Sequence, residues 1–362
     1  MGDEDARANT GLESWINPEV GLIIGGGACR CAFSVGVIKA FARRFGPEGG
    51  GAVPDVGKRW LPGRIFAVSG SGLNASELVA CGWRAETVVK KWLMLEKLGS
   101  NWLFNWSYLR MGWRALNRAS LFDNANLHRL IHGDQKKKLV IPGLDVGAVV
   151  ASPVDLLVPV TDEMKGDDYE KEYVIFSNHD ELIRNDPELW RAVIQAGASP
   201  PGIFDPVAIR GRMCSDAICV KFTRMIEAKV KTLFLVLNDF PAARGSWTPK
   251  SWLERLIWSH FQIHDKLTQM FLRYNLEHFQ DLRLYPMDAP LSFLQYFRKK
   301  NNPSIPTPRF DGFGNKLPDI IVISPQKTIP GLEHLSFEPG AITAAIDHGA
   351  EMADSVLNTL GW

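Results

Sequence analysis

Residues 66–76 read Phe-Ala-Val-Ser-Gly-Ser-Gly-Leu-Asn-Ala-Ser. The mostly apolar run Arg64–Val68 predicts the end of a buried strand, and Asn74–Gly82 predicts a helix. Ser69 therefore lies at a sharp strand-to-helix turn among small residues, which is typical of a nucleophile elbow that presents a serine hydroxyl at the edge of a sheet. An ordinary strand–turn–helix connection has the same local pattern, so the segments on either side have to distinguish the two.

A glycine-rich loop precedes this turn. The apolar run Val20–Ile24 predicts a buried strand, residues 25–31 read Gly-Gly-Gly-Ala-Cys-Arg-Cys, and Ala32–Arg44 predicts a helix. A strand, a glycine loop and a helix in this order direct several backbone N–H groups at one point, which makes an anion-binding arrangement. The candidate residues of this site are Gly25, Gly26, Gly27, Ala28 and Arg30.

Three kinds of anion site can be compared for this loop. A dinucleotide site would need G-x-G-x-x-G spacing and an acidic residue about twenty positions further on, but residues 46–63 are a Gly/Pro-rich loop. A P-loop would end in Gly-Lys-Ser/Thr, and this loop does not. An oxyanion hole needs only backbone amides, with Arg30 helping to hold the loop, and this interpretation fits best.

The composition fits a globular protein with a large core, since 46% of the 362 residues are hydrophobic and 22% are charged. A net charge of +1 gives no indication of a nucleic-acid partner. The odd number of cysteines, five, and their spacing favour a reducing compartment, with all of them acting as small buried hydrophobic residues. No metal-ligand cluster is visible in the sequence, so we expect no metal or other cofactor.

Strands and helices alternate along the remaining chain. The predicted strands are 146–151, 156–160, 173–177, 231–238 and 320–323, and the predicted helices are 189–198, 252–279 and 342–360. This alternation predicts one α/β domain with a mainly parallel sheet over residues 20–357, after a loose leader at residues 1–19. No run is long and apolar enough to span a bilayer. We therefore expect a cytoplasmic protein, with peripheral attachment to a membrane as the second option, while the oligomeric state is not specified by the sequence.

Two segments, 85–120 and 247–300, are predicted to be helical and rich in aromatic residues. In the first, apolar residues recur at helical spacing at Leu98, Trp102, Trp106, Leu109, Trp113 and Leu116. Because basic residues are interleaved with them, this stripe suits a membrane interface or a lipid-binding groove. A stripe that packs into the core is the alternative. Both segments are therefore candidates for a lid or a membrane-facing part.

Asp216 is a candidate catalytic carboxylate. It follows the second of two short predicted strands that a turn at residues 210–212 separates. An α/β enzyme places catalytic groups at the ends of strands, although a turn or cap aspartate gives the same pattern. Among the eight histidines, His179 lies near a strand end, and we interpret it as a turn residue rather than a member of a catalytic triad.

Taken in order, these pieces resemble the patatin-like phospholipase family. The glycine loop with residues 36–41 looks like that family's oxyanion loop and helix, and Ser69 lies where its nucleophile is expected. Ser120–Asn124 looks like the Leu-Tyr-Asp-Asn element, and residues 198–216 are similar to the final strand pair with its Asp-Gly-Gly/Ala motif. The elbow is also similar to that of cytosolic group IV phospholipases A2. The resemblance implies a three-layer sandwich with a mainly parallel central sheet and helices on both faces.

The chain departs from the family pattern without losing a reacting group. Residues that replace usual glycines are Ala28, Cys31, Ala67, Ser71, Ala217 and Ile218. A shifted register would make Ser71 the nucleophile, whereas the choice of Ser69 aligns residues 72–76 without a gap.

The resemblance implies a serine esterase that cleaves fatty acyl esters of a lipid or phospholipid, as a phospholipase A or a lysophospholipase does. Ser69 would attack the ester, Asp216 would accept its proton, and the glycine loop would stabilise the oxyanion. Two alternatives stay open. One is a catalytically impaired scaffold of the same fold that binds lipid or a protein partner, and the other is an acyltransferase with the same dyad.

Overall fold

The computed structural model of the protein describes most of the chain in separate ranges. These are residues 12–47, 60–104, 107–117, 120–134, 140–163, 173–217, 230–238, 282–284 and 319–360. The predicted helix 252–279 lies outside them, as do nearly all of the segment 247–300 and the first part of the predicted leader.

The described strands form one mixed, mostly parallel sheet. They are β1 (Ile16–Ile24), β2 (Leu61–Ala67), β3 (Asp155–Asp162), β4 (Tyr173–Ser177), β5 (Val207–Ile209), β6 (Arg212–Asp216), β7 (Thr232–Val236), β8 (Leu282–Leu284) and β9 (Asp319–Ile323). Their order is β5–β6–β3–β2–β1–β7–β9–β8, and β4 also pairs with β3. Strands β4, β5 and β6 pair antiparallel, and the other pairings are parallel. The predicted α/β class with a mainly parallel central sheet is confirmed.

Helices flank this sheet. They are α1 (Ala32–Phe45), α2 (Ser71–Ala80), α3 (Ala85–Leu98), α4 (Ser100–Phe104), α5 (Tyr108–Asn117), α6 (Ala125–His132), α7 (Val146–Ala151), α8 (Glu181–Asn185), α9 (Glu188–Gly197) and α10 (Ala341–Thr359). Short 3₁₀ helices lie at Leu12–Ser14 and Ala28–Cys31. The predictions for α1, α9 and α10 are confirmed to within one residue at each end.

Helices α1 and α10 approach each other so closely that their backbones touch. A β-carbon added at Gly36 would lie 1.9 Å from the carbonyl oxygen of Ile346, and one added at Gly349 would lie 2.0 Å from that of Phe33. Glycine is therefore required on both sides of the contact. Because α1 follows the glycine loop directly, this contact also fixes the position of the loop.

Three predictions about secondary structure were wrong. Residues 146–151, predicted as a strand, form α7, because the Asp145 side chain accepts a hydrogen bond from Ala148 N at 2.9 Å and caps a helical turn. The segment 247–300, predicted to be helical, forms strand β8 (Leu282–Leu284) in its described part. By contrast, the described part of the segment 85–120 is helical as predicted and is divided into α3, α4 and α5. Strand β1 begins at Ile16, which pairs with Leu61, so the described part of the predicted loose leader is packed.

Gly36→Ala should destabilise the fold by about 1–3 kcal/mol or more, because the added methyl group forces the α1 and α10 backbones apart. Gly112→Ala, in α5, is the matched control, since a β-carbon there meets nothing within 4 Å. Its higher helix propensity should leave stability unchanged or raise it by up to about 1 kcal/mol. Urea denaturation followed by circular dichroism measures both. Equal stability of the two variants would contradict the close packing of α1 on α10.

Candidate active site

The serine turn has the strained geometry of a nucleophile elbow. Ser69 has φ 60°, a left-handed conformation that costs a non-glycine residue about 1–3 kcal/mol and is concentrated at functional sites. The turn is held by hydrogen bonds from Gly72 N to Ser69 O at 2.8 Å and from Val68 N to Ile24 O at 3.0 Å. A β-carbon at Gly26 would lie 2.8 Å from the Ser69 β-carbon, so the glycine loop packs directly on the serine.

Ser71, the alternative nucleophile, has a different environment. It is fully buried, and its hydroxyl donates to Gly25 O at 2.8 Å and accepts from Asn238 Nδ2 at 3.1 Å. That hydroxyl ties the elbow to the glycine loop. Ser69 lines a pocket instead, which favours Ser69 as the reacting group.

The strand register brings Asp216 to the same sheet edge as Ser69. Phe66 pairs with Leu157, and Val160, three residues further along β3, pairs with Asp216. Ser69 likewise lies three residues beyond Phe66, so the two side chains meet past the end of β2. Asp216 accepts a hydrogen bond from the Ser69 hydroxyl.

The Asp216 carboxyl group is 1% exposed. Burial raises its pKa from 3.8 to about 8, although hydrogen bonds from Ser69 and from the backbone N–H of Ala217 oppose the shift. Among the described residues, its Oδ1 atom has no hydrogen-bond partner. The carboxylate is therefore a much stronger base than an exposed aspartate and can accept a proton near neutral pH.

The glycine loop is only partly available as an oxyanion hole. The amide of Gly25 donates to Val236 O at 2.9 Å, so it belongs to the sheet. Within the described part of the chain, the amides of Gly26 and Gly27 have no backbone acceptor. Ala28, at φ 49°, occupies a left-handed position where glycine is strain-free. Of the predicted set, Gly26, Gly27 and Ala28 have amides without a backbone acceptor in the described chain, so they remain the candidate donors.

Two contacts hold the loop from the other side. The Arg30 guanidinium forms an ion pair with the Glu333 carboxylate at 2.9 Å, and Cys29 N donates to His334 O at 2.9 Å. Arg30 thus connects the loop to Glu333, and its own amide donates to Gly27 O at 2.9 Å.

Asn238 is a site residue that the sequence analysis missed. Its Nδ2 group donates to Gly25 O at 2.5 Å and to Cys31 Sγ at 3.6 Å, and its Oδ1 accepts from Ser34 N at 3.0 Å. The side chain thus joins the glycine loop to helix α1. A polar residue just after a buried strand was the available signal, since parallel strands end at one edge.

An apolar pocket of about 70 Å³ opens beside Ser69. Much of its wall is aliphatic and aromatic, including Leu73, Val88, Leu95, Leu103, Phe104 and Leu130. Its charged wall residues are Glu77 on α2 and Lys91 on α3, which form a buried ion pair with side chains 7% and 5% exposed. Burial raises the pKa of Glu77, and the adjacent Lys91 opposes that shift.

The other predicted elements have structural roles in the described chain. Asn124 donates to Asp205 O at 2.6 Å, and Arg114 pairs with the Asp205 carboxylate at 2.5 Å, so Ser120–Asn124 anchors the loop before β5. His179 is a turn residue whose Nε2 lies 2.8 Å from Ser152 O.

The aromatic stripe divides into a buried and an exposed part. Trp102 is half-buried against the core, whereas Trp113 and Leu116 on α5 are 60% and 87% exposed. Trp106 lies outside the described residues.

No helix in the described ranges is long and apolar enough to cross a membrane. The same ranges contain no group of three or more His, Cys, Asp or Glu residues placed to hold a metal ion.

A mostly parallel sheet with a glycine loop and a strained serine at one edge defines an α/β protein with a candidate serine-esterase site. A family model described as patatin-like phospholipase matches residues 22–223. The chain belongs to the patatin-like phospholipase family.

Among solved structures, the chain is similar to VipD from Legionella pneumophila, with 13% sequence identity and a TM-score of 0.39. The alignment covers 94% of this chain and 66% of that chain, so it spans slightly less than two thirds of VipD. No curated protein matches the chain.

Ester hydrolysis should depend on the ionisation of Asp216. We expect kcat/KM for a p-nitrophenyl ester to rise about tenfold per pH unit below the carboxyl pKa and to level off above pH about 8. Because the folded-state pKa is raised, the stability that the protonated group contributes is full below pH about 4 and is lost as the pH rises through about 8. Asp216→Asn should abolish both pH dependences, whereas Asp354→Asn on α10 should keep them. A rate that is flat from pH 5 to 9 in the wild type would contradict this role.

Lys91→Met should lower the free energy of unfolding by about 3–5 kcal/mol, because the Glu77 carboxylate would stay buried without its partner. The double variant Glu77→Leu/Lys91→Met removes both charges at similar volume and should recover most of that loss. Guanidinium denaturation of the three proteins measures the difference. A single variant as stable as the double variant would show that the pair is not buried.

Proposed function

We propose that the protein is a lipid acyl hydrolase that cleaves fatty acyl esters through a Ser69–Asp216 dyad. The observation that carries the proposal is the hydrogen bond between a strained serine and a carboxyl group with a raised pKa, beside an apolar pocket. A strained nucleophile, a base of suitable pKa and an apolar site are the three parts that acyl transfer from a lipid requires.

In the first half of the proposed reaction, the ionised Asp216 accepts the Ser69 proton as Oγ attacks the ester carbonyl carbon. The carbonyl oxygen becomes an oxyanion, which the amides of Gly26 and Gly27 would stabilise. Each such donor typically contributes about a hundredfold or more to the rate. The intermediate then expels the alcohol, which takes the proton from Asp216, and an acyl-Ser69 ester remains.

In the second half, Asp216 accepts a proton from a water molecule as that water attacks the acyl-Ser69 carbonyl. The oxyanion occupies the same amides, and Ser69 leaves with the proton from Asp216. The fatty acid is released and the site returns to its starting state. Acyl transfer would follow the same course with another hydroxyl in place of water.

The exposed side chains of α5 support docking at a lipid surface as a second part of the proposal. Trp113 and Leu116 are three positions apart, so they lie on neighbouring parts of one helix face, and Arg110 on the same helix is also exposed. Aromatic and aliphatic side chains near a basic residue suit the boundary between headgroups and acyl chains.

The dyad is tested by labelling with a fluorophosphonate probe. We expect the wild type and Ser71→Ala to label and Ser69→Ala not to label. Ser71→Ala is the matched control because it removes a neighbouring hydroxyl from the same turn, and it should label more slowly since the tie to Gly25 is lost. Folding of each variant is checked by circular dichroism, and release of fatty acid from phosphatidylcholine vesicles is then measured.

A folded wild type that neither labels nor releases fatty acid in the presence of vesicles would contradict the hydrolase and favour the lipid-binding scaffold. Labelling that persists in Ser69→Ala and disappears in Ser71→Ala would assign the nucleophile to the other register.

A further inference from the structure

The Glu77–Lys91 ion pair lies between two cavities. Both residues line the apolar pocket that contains Ser69, and both also line a second cavity of about 400 Å³. No other residue is common to the two linings in the described part of the chain. The ion pair is therefore the partition between them.

The two cavities differ in character. The lining of the second one includes further charged residues, which are Arg84, Lys90 and Asp145. The apolar pocket is instead enclosed by aliphatic and aromatic side chains from several helices. An alkyl chain bound beside Ser69 would thus contact mostly apolar walls, whose charged residues are Glu77 and Lys91.

Stability alone does not explain why this charged pair is buried. Taking a carboxylate and an ammonium group out of water is expensive, and apolar residues of similar volume often stabilise a fold at least as well. The nearby pair between Glu86 and Lys90 on α3 carries the same charges at 3.2 Å, but both side chains are 75% exposed. The buried pair is distinguished by its position in the wall that the two cavities share.

We propose that the Glu77–Lys91 pair is the floor of the acyl pocket. It limits the length up to which a longer acyl chain increases kcat/KM. This inference rests on the proposed hydrolase function. The apolar pocket, at about 70 Å³, is much smaller than the second cavity, at about 400 Å³. The substrate class is accordingly esters of short to medium acyl chains, with little further gain for longer ones.

The expected rate profile follows from burial of methylene groups. Each methylene that enters an apolar pocket contributes about fourfold to kcat/KM. We expect kcat/KM to rise along a series of p-nitrophenyl esters from butyrate and to stop rising near octanoate. Palmitate, measured in the same detergent micelles, should then be no better than octanoate.

Opening the floor should move this limit. In Glu77→Ala/Lys91→Ala the two cavities join, and the palmitate-to-octanoate ratio of kcat/KM should increase at least about tenfold. Glu77→Leu/Lys91→Met keeps the volume without the charges and should retain the wild-type limit. Glu86→Ala/Lys90→Ala removes the same residue types from the exposed pair on the same helix and should also retain it.

The outcomes separate this inference from the proposed function. Butyrate hydrolysis with an unchanged length profile in the open variant would overturn the floor, as would an equal shift in the volume-conserving variant. No ester hydrolysis and no fluorophosphonate labelling in the wild type would remove the proposed function, and the floor with it. Should the double-alanine variant fail to fold by circular dichroism, Glu77→Ala/Lys91→Met opens half of the partition and should shift the ratio at least about threefold. An unchanged ratio in that folded variant would overturn the floor.

Discussion

The contact between the glycine loop and the serine turn is the constraint on which the candidate site depends. Strands β1 and β2 are parallel neighbours, so their carboxyl ends meet at one edge and the loops that follow them collide unless one lacks side chains. Gly26 meets that condition, since a β-carbon there would overlap Ser69. The strained φ of Ser69 persists because the strand before it and the helix after it are both fixed by packing.

A buried polar cluster maintains this contact. Asn238, Ser71 and Cys31 lie behind the serine turn, and their side chains hydrogen-bond with one another and with the Gly25 carbonyl. Cys31 replaces a usual family glycine, and burial raises the pKa of its thiol to about 12. It therefore stays neutral and acts as a packing and hydrogen-bonding group. Buried polar groups of this kind specify a geometry only when their partners are all present.

Asp216 and the apolar pocket both depend on the exclusion of water. Burial raises the pKa of Asp216, and the neighbouring Ser69 lines the apolar pocket. A carboxylate in water is too weak a base to activate a serine hydroxyl, and a low-dielectric site removes that limit. In the proposed reaction, exclusion of water would therefore serve both the binding of the acyl chain and the activation of Ser69.

The order of strands and helices, the elbow at Ser69 and the glycine loop could be read from the sequence, because periodicity and small residues are local signals. Val146–Ala151 shows where such signals fail, since β-branched residues predicted a strand and a capping aspartate made a helix. The sequence also proposed Asp216, but only the register of β3 with β2 and β6 brings it to Ser69. Asn238 and the Glu77–Lys91 pair were not predicted, because the packing of the elements decides which partner a buried polar side chain meets.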